Sequence, residues 1–186
     1  MKRYQFTDTN GSFRLEGAEN DLGLYFPLAG EHGLKSAVTP NLAGDSKLDQ
    51  NHFLIEPTSI GDLTDSRTSR NFWCVVKGVG TWSATGVSAE QEAARFTEEQ
   101  DASKVEAGLM WHKTTRSSKR YALTSEITSF VTFQSNVEVM QIRITNDDKK
   151  QLTMSAIAAV PIYGRSADNI RDHRHVTSLL HRAKTT

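Results

Sequence analysis

Residues 139–145 read Val-Met-Gln-Ile-Arg-Ile-Thr, and this stretch decides the fold class. In an extended chain successive side chains point to opposite faces, so Met140, Ile142 and Ile144 share one face. The polar residues Gln141 and Arg143 occupy the other. Such alternation predicts a strand with one buried and one solvated face.

The same period of two extends outward from this strand. A polar run at 146–149 separates it from a second alternating stretch at 152–157, and the two together predict an antiparallel hairpin. Further strands are expected at 13–15, 22–28, 34–38, 53–55, 72–76, 107–112 and 121–127. Short strands joined by polar connectors are typical of a β-sandwich. We therefore predict a mainly β chain with an antiparallel β-sandwich of the super-sandwich type.

Only one segment has helical features. Ser88 is placed to cap a helix over 89–96, and Gln91 stands where a capping box requires it. Acidic residues in the first turn suit the helix dipole. We expect a short surface helix inserted between strands.

Composition and charge exclude several classes of protein. The chain has 186 residues, and 22 basic residues balance 22 acidic ones, which removes the overall attraction to nucleic acid. The longest apolar stretch, 156–163, contains Pro161 and is too short to cross a bilayer. The single cysteine, Cys74, excludes an internal disulfide, and its apolar neighbours indicate a buried, inert thiol. We expect a cytoplasmic protein without a membrane or nucleic-acid partner.

The end of the sequence departs from the strand pattern. We expect a β-sandwich domain over 1–164 and a charged C-terminal segment of the same domain over 165–186, truncated before the sandwich closes. The candidate contact residues in this segment are Arg165, Asn169, Arg171, Asp172, His173 and His175. Guanidinium forks and imidazoles suit phosphate or sugar oxygens, but a loop of mutually paired Arg and Asp is the alternative. A His-x-His pair alone does not predict a metal site.

Other candidate side chains lie within the predicted strands. Trp82 is expected to be partly exposed and able to stack on a sugar ring, whereas Trp73 is expected in the core. The basic run at 113–120 is expected to be a solvated hairpin loop, because it lacks the interleaved aromatics of a nucleic-acid contact. His112 is expected to be a packed or capping histidine rather than a base. No two carboxylates have a spacing that fixes them across a sugar, so no catalytic residue is assigned.

Several strings stand in a fixed order along the chain. They are Leu-Tyr-Phe-Pro-Leu-Ala at 24–29, Asp-Gln-Asn at 49–51, Phe-Leu-Ile-Glu-Pro at 53–57, Ser-Arg-Asn-Phe-Trp at 69–73, Trp-Ser-Ala-Thr-Gly at 82–86 and the run at 160–175. Together they resemble the N-terminal region of the cellobiose-phosphorylase-like enzymes of glycoside hydrolase family 94, formerly glycosyltransferase family 36. The run at 160–175 is the most specific of them.

The resemblance implies a fold and an activity. Such enzymes begin with a large β-sandwich and carry a catalytic (α/α)6 barrel after linker helices. They cleave β-glucosidic bonds with inorganic phosphate, invert the anomeric centre and release a sugar 1-phosphate. An aspartic acid in the barrel acts as the general acid, and the enzymes are often homodimers. The implied partners are therefore the barrel, a β-linked gluco-oligosaccharide and a second copy of the chain.

The barrel has no counterpart in this sequence. We therefore expect a non-catalytic N-terminal fragment that needs no cofactor, with phosphate serving only as co-substrate of the full-length enzyme. The C-terminal candidate residues would then face the catalytic domain or the substrate channel. Two alternatives stay open: a carbohydrate-binding module that uses Trp82 or Tyr163, and an assembly module that uses free sheet edges.

Overall fold

The computed structural model of the protein describes residues 4–21, 23–50, 52–55 and 69–162. These residues form thirteen strands, a 3-10 helix at Ala18–Asn20 and an α-helix, α1, at Ala89–Ala93. The strands are β1 Tyr4–Phe6, β2 Phe13–Glu16, β3 Phe26–Ala29, β4 Lys35–Val38, β5 Ser46–Lys47, β6 Phe53–Ile55, β7 Asn71–Val76, β8 Gly80–Ser83, β9 Ala102–Gly108, β10 Trp111–Ser118, β11 Leu123–Val131, β12 Glu138–Asn146 and β13 Met154–Ala159. No helix among the described residues is long and apolar enough to cross a membrane.

The strands assemble into three sheets, and every pairing between them is antiparallel. One sheet has six strands in the order β1-β2-β9-β10-β11-β12, another has four in the order β3-β4-β5-β6, and the third has three in the order β13-β7-β8. The mainly β, antiparallel architecture predicted from the alternation is confirmed, as is a single short α-helix within the described part of the chain.

The sheets share one hydrophobic core. Along β11 every second residue is buried, including Leu123 and Ile127, so one face of the six-stranded sheet is covered. Leu28 of the four-stranded sheet and Trp82 of the three-stranded sheet belong to the same buried cluster as these residues. Both smaller sheets therefore pack on that face, which gives the two layers of a sandwich.

Residues 139–145 lie within β12, as predicted. Met140, Ile142 and Ile144 are partly buried, while Gln141 and Arg143 are exposed. The three apolar residues pack against the shared core from the edge of the six-stranded sheet.

The predicted helix cap is also confirmed. Ser88 has an extended backbone, and its Oγ accepts a hydrogen bond from the Gln91 backbone N–H at 3.1 Å. The helix ends at Ala93 rather than at residue 96, since Phe96 adopts a left-handed conformation with a φ of 65° that cannot continue a helix.

The predicted hairpin between 139–145 and 152–157 is wrong. β12 pairs with β11, whereas β13 pairs with β7 in another sheet. The β11–β12 ladder runs over nine residue pairs, from Leu123↔Asn146 to Val131↔Glu138, which is longer than the six-residue β13 allows. The longer ladder satisfies more backbone groups. Residues 147–153, which are polar except for Leu152, connect β12 to the other layer.

Three strand boundaries are also wrong. The predicted strand at 107–112 is interrupted by a turn at Leu109 and Met110, which separates β9 from β10. The run at 113–120, expected to be a loop, lies mostly in β10, whose inward side chains are polar rather than apolar. The strand expected from residue 22 begins only at Phe26.

The burial of Trp73 and Trp82 differs from the prediction: Trp82 is the buried ring and Trp73 the partly exposed one. Cys74 and Val76 of β7 face the core, so Trp73, one position before Cys74, faces the other side of the sheet and is only half-buried. Trp82 of β8 pairs with Cys74 and therefore points into the core, where 1% of its surface is exposed. The burial predicted for Cys74 itself is confirmed.

Candidate functional site

Most of the contact residues predicted from sequence lie outside the described residues. These are Arg165, Asn169, Arg171, Asp172, His173 and His175, together with Tyr163. Trp82 is described, and the partial exposure expected for it is wrong. Its indole Nε1 donates to Asp101 Oδ2 at 2.7 Å, so the ring is fixed within the core and presents no face for a sugar to stack on.

A cavity lies at the edge of the described sandwich, directly beside Trp82. Its volume is about 1040 Å³. One wall is formed by residues 90–102, which include α1 and the turns after it, and the other by residues 117–121 at the β10–β11 turn. We call this space the α1 cavity. Polar side chains line both of its walls, and it is the candidate site.

The first wall is tied to the sheet by Gln91. The Gln91 side-chain amide donates to Asp101 Oδ2 at 2.8 Å and to the Ser83 carbonyl at 2.9 Å. Its carbonyl oxygen accepts from Ser88 Oγ at 2.8 Å. Asp101 thus accepts from both Gln91 and Trp82, and the short helix α1 is held in place by its own capping residues rather than by buried apolar side chains.

The second wall is joined to the first through Glu90. The Tyr121 hydroxyl donates to Glu90 Oε2 at 3.0 Å, and Arg120 Nη1 lies 2.6 Å from Glu90 Oε1. The Arg120 guanidinium also lies 5.5 Å from the centroid of the Tyr121 ring. Burial, and then the Glu90 carboxylate, raise the pKa of Tyr121, so its phenol stays protonated and remains a donor at neutral pH.

A buried arginine lies behind the cavity. Arg116 is 4% exposed, and its Nη2 donates to Asn41 Oδ1 at 3.0 Å. Burial lowers the pKa of the guanidinium, while the charges of Asp101 and Glu19 act in the opposite direction. A Cβ at Gly86 would lie 2.4 Å from Arg116 Cζ, so glycine at this position makes room for the guanidinium.

Three charged groups on the cavity walls have no ion-pair partner among the residues that the structure describes. They are Lys119 on one wall and Glu98 and Glu99 on the other. These groups are available to a ligand that both donates and accepts hydrogen bonds.

A second polar network, which sequence reasoning missed, crosses the core between the layers. Arg70 is 3% exposed, and its guanidinium contacts both carboxylate oxygens of Glu138 on β12, at 2.5 and 3.1 Å. Arg70 also donates to the Leu42 carbonyl at 3.2 Å. A buried ion pair of this kind fixes how the two layers sit on each other. The only sequence signal for it was the ordered string at 69–73.

The neighbouring Asn71 organises three further polar groups. Its Oδ1 accepts from Ser83 Oγ at 2.7 Å and Thr85 Oγ1 at 2.9 Å, and its Nδ2 donates to the Val87 carbonyl at 3.0 Å. All of these side chains belong to the strings at 69–73 and 82–86. Within the described residues those strings therefore build the fold rather than an exposed site.

The two side chains with reactive potential are enclosed in the core. Burial raises the pKa of the Cys74 thiol, which disfavours the thiolate. His112 is fully buried, and the centroid of its ring lies 4.8 Å from that of Phe26. Burial lowers the pKa of His112 to about 4. The packed histidine predicted from sequence is confirmed. The described residues contain no group of three His, Cys, Asp or Glu side chains that could hold a metal ion.

Comparison with known families gives one match. The family described as "Glycosyl hydrolase 94, supersandwich domain" matches residues 79–185, more than half of the chain. The matched range includes β9 to β13 and both walls of the α1 cavity. A search of curated proteins found no match.

Proposed function

The chain belongs to the glycosyl hydrolase 94 family through its supersandwich domain, and we propose that it is the non-catalytic N-terminal domain of a β-glucoside phosphorylase. In this proposal the parent enzyme works in the cytoplasm and performs inverting phosphorolysis, with inorganic phosphate as co-substrate and a sugar 1-phosphate as product. The general acid and the phosphate-binding residues belong to a separate (α/α)6 catalytic domain.

The use that the fold makes of its polar side chains supports a non-catalytic role. Cys74 and His112 are enclosed in the core, where neither reaches a substrate. Arg70 and Asn71 are committed to partners within the sandwich. A catalytic pair requires side chains within hydrogen-bond reach of one another and of a substrate, and these four have other roles.

The exposure of β13 supports a contact with a further protein surface. All six residues of this strand are exposed, including Ile157 at 50% and Met154 at 37%. β13 is also an edge strand of its sheet among the described residues. Apolar strands that are open on both faces and along one edge promote unspecific pairing unless another element covers them. We propose that the catalytic domain of the parent enzyme covers β13.

An activity assay tests the non-catalytic role. The purified 186-residue chain is incubated with inorganic phosphate and cellobiose, and the release of glucose 1-phosphate is followed. We expect no release above the rate without protein. Phosphate-dependent cleavage by this chain alone would overturn the proposal.

A binding assay tests the contact at β13. The chain is mixed with the separately produced (α/α)6 domain of a glycosyl hydrolase 94 enzyme, and association is measured by sedimentation. The variant Ile157→Asp is expected to weaken association at least tenfold, because a charge in an apolar contact must be desolvated. Leu109→Asp is the matched control, since Leu109 is 82% exposed in the β9–β10 turn. Equal effects of the two variants would refute the contact.

The α1 cavity favours carbohydrate binding as a second function. Trp82 is buried, so it does not provide the stacking surface that was predicted for carbohydrate binding. The cavity instead presents the carboxylates of Glu98 and Glu99 on one wall and the ammonium group of Lys119 on the other.

A further inference from the structure

We propose that an ordered water molecule binds where the three sheets meet and links the buried Arg116 guanidinium to the carboxylate of Asp101. This site lies within the sandwich itself and does not depend on the proposed function. A small cavity, two unpartnered donors and the charges around them indicate it.

The Arg116 guanidinium touches elements of all three sheets. Arg116 belongs to β10 of the six-stranded sheet, and its Nη2 donates to Asn41 Oδ1, at 3.0 Å, in the connection between β4 and β5 of the four-stranded sheet. Gly86, which follows β8 of the three-stranded sheet, lies against the guanidinium, since a Cβ there would be 2.4 Å from Arg116 Cζ. We call these three residues the sheet junction.

A small cavity, separate from the α1 cavity, lies at the sheet junction. Its volume is about 30 Å³, and its lining includes the three junction residues together with Arg95 and Asp101. A water molecule requires roughly 10–15 Å³ of such space, and a small-molecule site roughly 300 Å³ or more. The cavity therefore has the size for one or two water molecules and for no organic ligand.

Two guanidinium N–H groups at this cavity lack a partner in the described part of the protein. The Nε atoms of Arg116 and Arg95 are both buried, and neither makes a hydrogen bond to another described residue. Arg116 as a whole is only 4% exposed, so its Nε is shielded from bulk solvent. Because buried donors are nearly always hydrogen-bonded in folded proteins, the cavity has to supply an acceptor.

The charges around Arg116 favour water over an anion as this acceptor. The cavity is lined by three carboxylates, those of Glu19, Glu92 and Asp101, as well as by the two arginines, so an anion would be repelled. The negative charges of Asp101 and Glu19 act on Arg116, yet neither carboxylate forms a direct ion pair with it in the described structure. A water molecule accepts from a guanidinium and donates to a carboxylate, so it bridges groups that do not touch.

The bridge connects the sheet junction to the wall of the α1 cavity. Asp101 accepts from Trp82 Nε1 and from the Gln91 amide, and these bonds hold α1 on the sandwich. A water between Arg116 and Asp101 adds β10 to this network. The position of the wall then depends on Arg116, although this side chain lies behind the cavity.

Nuclear magnetic resonance of the arginine side chains tests the site in the full 186-residue chain. The Nε–H signal of Arg116, assigned by its loss in Arg116→Lys, is expected to show a nuclear Overhauser effect to a bound water. Rotating-frame spectra separate this effect from chemical exchange. Arg70 is the matched control, because it is 3% exposed but its Nε lies 2.5 Å from Glu138 Oε1, and its Nε–H is expected to show no such effect. An absent effect at Arg116, or an equal one at Arg70, would refute the site.

A sodium bromide titration tests for an anion at the same position. With water at the site, the Nε–H shifts of Arg116 and Arg95 should change no more than that of Arg70. A saturable change confined to Arg116 and Arg95 would assign the cavity to an anion and overturn the proposal.

Two glycine variants test the position of the water. Gly86→Ala directs a Cβ at the Arg116 guanidinium and is expected to abolish the water effect and to shift the Trp82 Nε1–H signal. Gly33→Ala is the control, since Gly33 also has a positive φ but open space around it, and it should change neither signal. A folded Gly86→Ala that keeps the effect would refute the position, and if this variant does not fold, the wild-type comparison of Arg116 with Arg70 decides.

Discussion

Lowering the pH is expected to destabilise the protein through one buried side chain, His112. Burial lowers its pKa from the ordinary 6.5 to about 4, because the imidazole is fully enclosed. Its Nε2 lies 3.5 Å from Thr114 Oγ1, and its Nδ1 makes no hydrogen bond to a described residue. Nothing in this surrounding stabilises a positive charge, so the folded protein holds the ring neutral.

The size of the effect follows from the change in pKa. In the unfolded chain His112 takes up a proton as the pH falls below 6.5, whereas in the folded protein it does so only near 4. Since the unfolded state binds more protons between these values, the free energy of unfolding decreases with falling pH across this window and is unaffected by this group above it. At about 1.4 kcal/mol per unit, the loss attributable to His112 amounts to about 3 kcal/mol.

Urea unfolding followed by tryptophan fluorescence measures this loss. The wild type and His112→Gln are compared at about pH 7 and about pH 4.5. The variant is expected to be less stable at neutral pH but to lose less on acidification, since glutamine does not titrate. His32→Gln, at an exposed position, is the control and should follow the wild type. Equal losses in the wild type and in His112→Gln would refute the assignment of the effect to this ring.

Three further variants probe the framework, each by urea unfolding. Arg70→Met leaves Glu138 buried without its partner and is expected to cost about 3–5 kcal/mol, part of which a second change, Glu138→Leu, should restore. Gly44→Ala places a Cβ 2.1 Å from the Ala37 carbonyl oxygen and should cost about 2 kcal/mol more than Gly33→Ala, where φ is also positive but the space is open. Trp82→Phe removes the donor to Asp101 and should cost about 1–3 kcal/mol, whereas an unchanged stability would show that this hydrogen bond is dispensable.

Alternation of apolar and polar residues predicted the strands whose inner face is apolar. It succeeded for β12, where Met140, Ile142 and Ile144 turn inward. It failed for β10, whose inward residues are His112, Thr114, Arg116 and Ser118. A hydrophobic period cannot detect a strand that buries polar side chains, because their burial depends on hydrogen-bond partners that are distant in sequence.

Strand partners and the face that a side chain occupies also depend on distant residues. β12 and β13 alternate equally well, but the length of β11 decides that β12 pairs with it. Trp73 has apolar neighbours in sequence and Trp82 has small and polar ones. The pairing of Trp82 with Cys74 nevertheless buries Trp82 in the core, whereas Trp73 is half-buried on the other side of its sheet.

The α1 cavity could not be predicted for the same reason. Its walls are separated in sequence and meet because β9 and β10 bring residues 90–102 back beside residues 117–121. The capping box at Ser88 was visible in the sequence, but it predicted only a helix. Gln91 of this box also donates a hydrogen bond to Asp101 at the base of the cavity. This contact depends on tertiary structure, so the local sequence does not predict it.

Within the described residues, the strings at 69–73 and 82–86 that carry the family resemblance contribute a buried polar network. The network consists of four buried side chains, Arg70, Asn71, Ser83 and Thr85. Each is hydrogen-bonded within the sandwich, so changing any of them leaves an unsatisfied polar group in the core. Such a network is required for the two layers to pack, whatever the sandwich binds. A family resemblance carried by these four residues therefore transmits the packing of the sandwich.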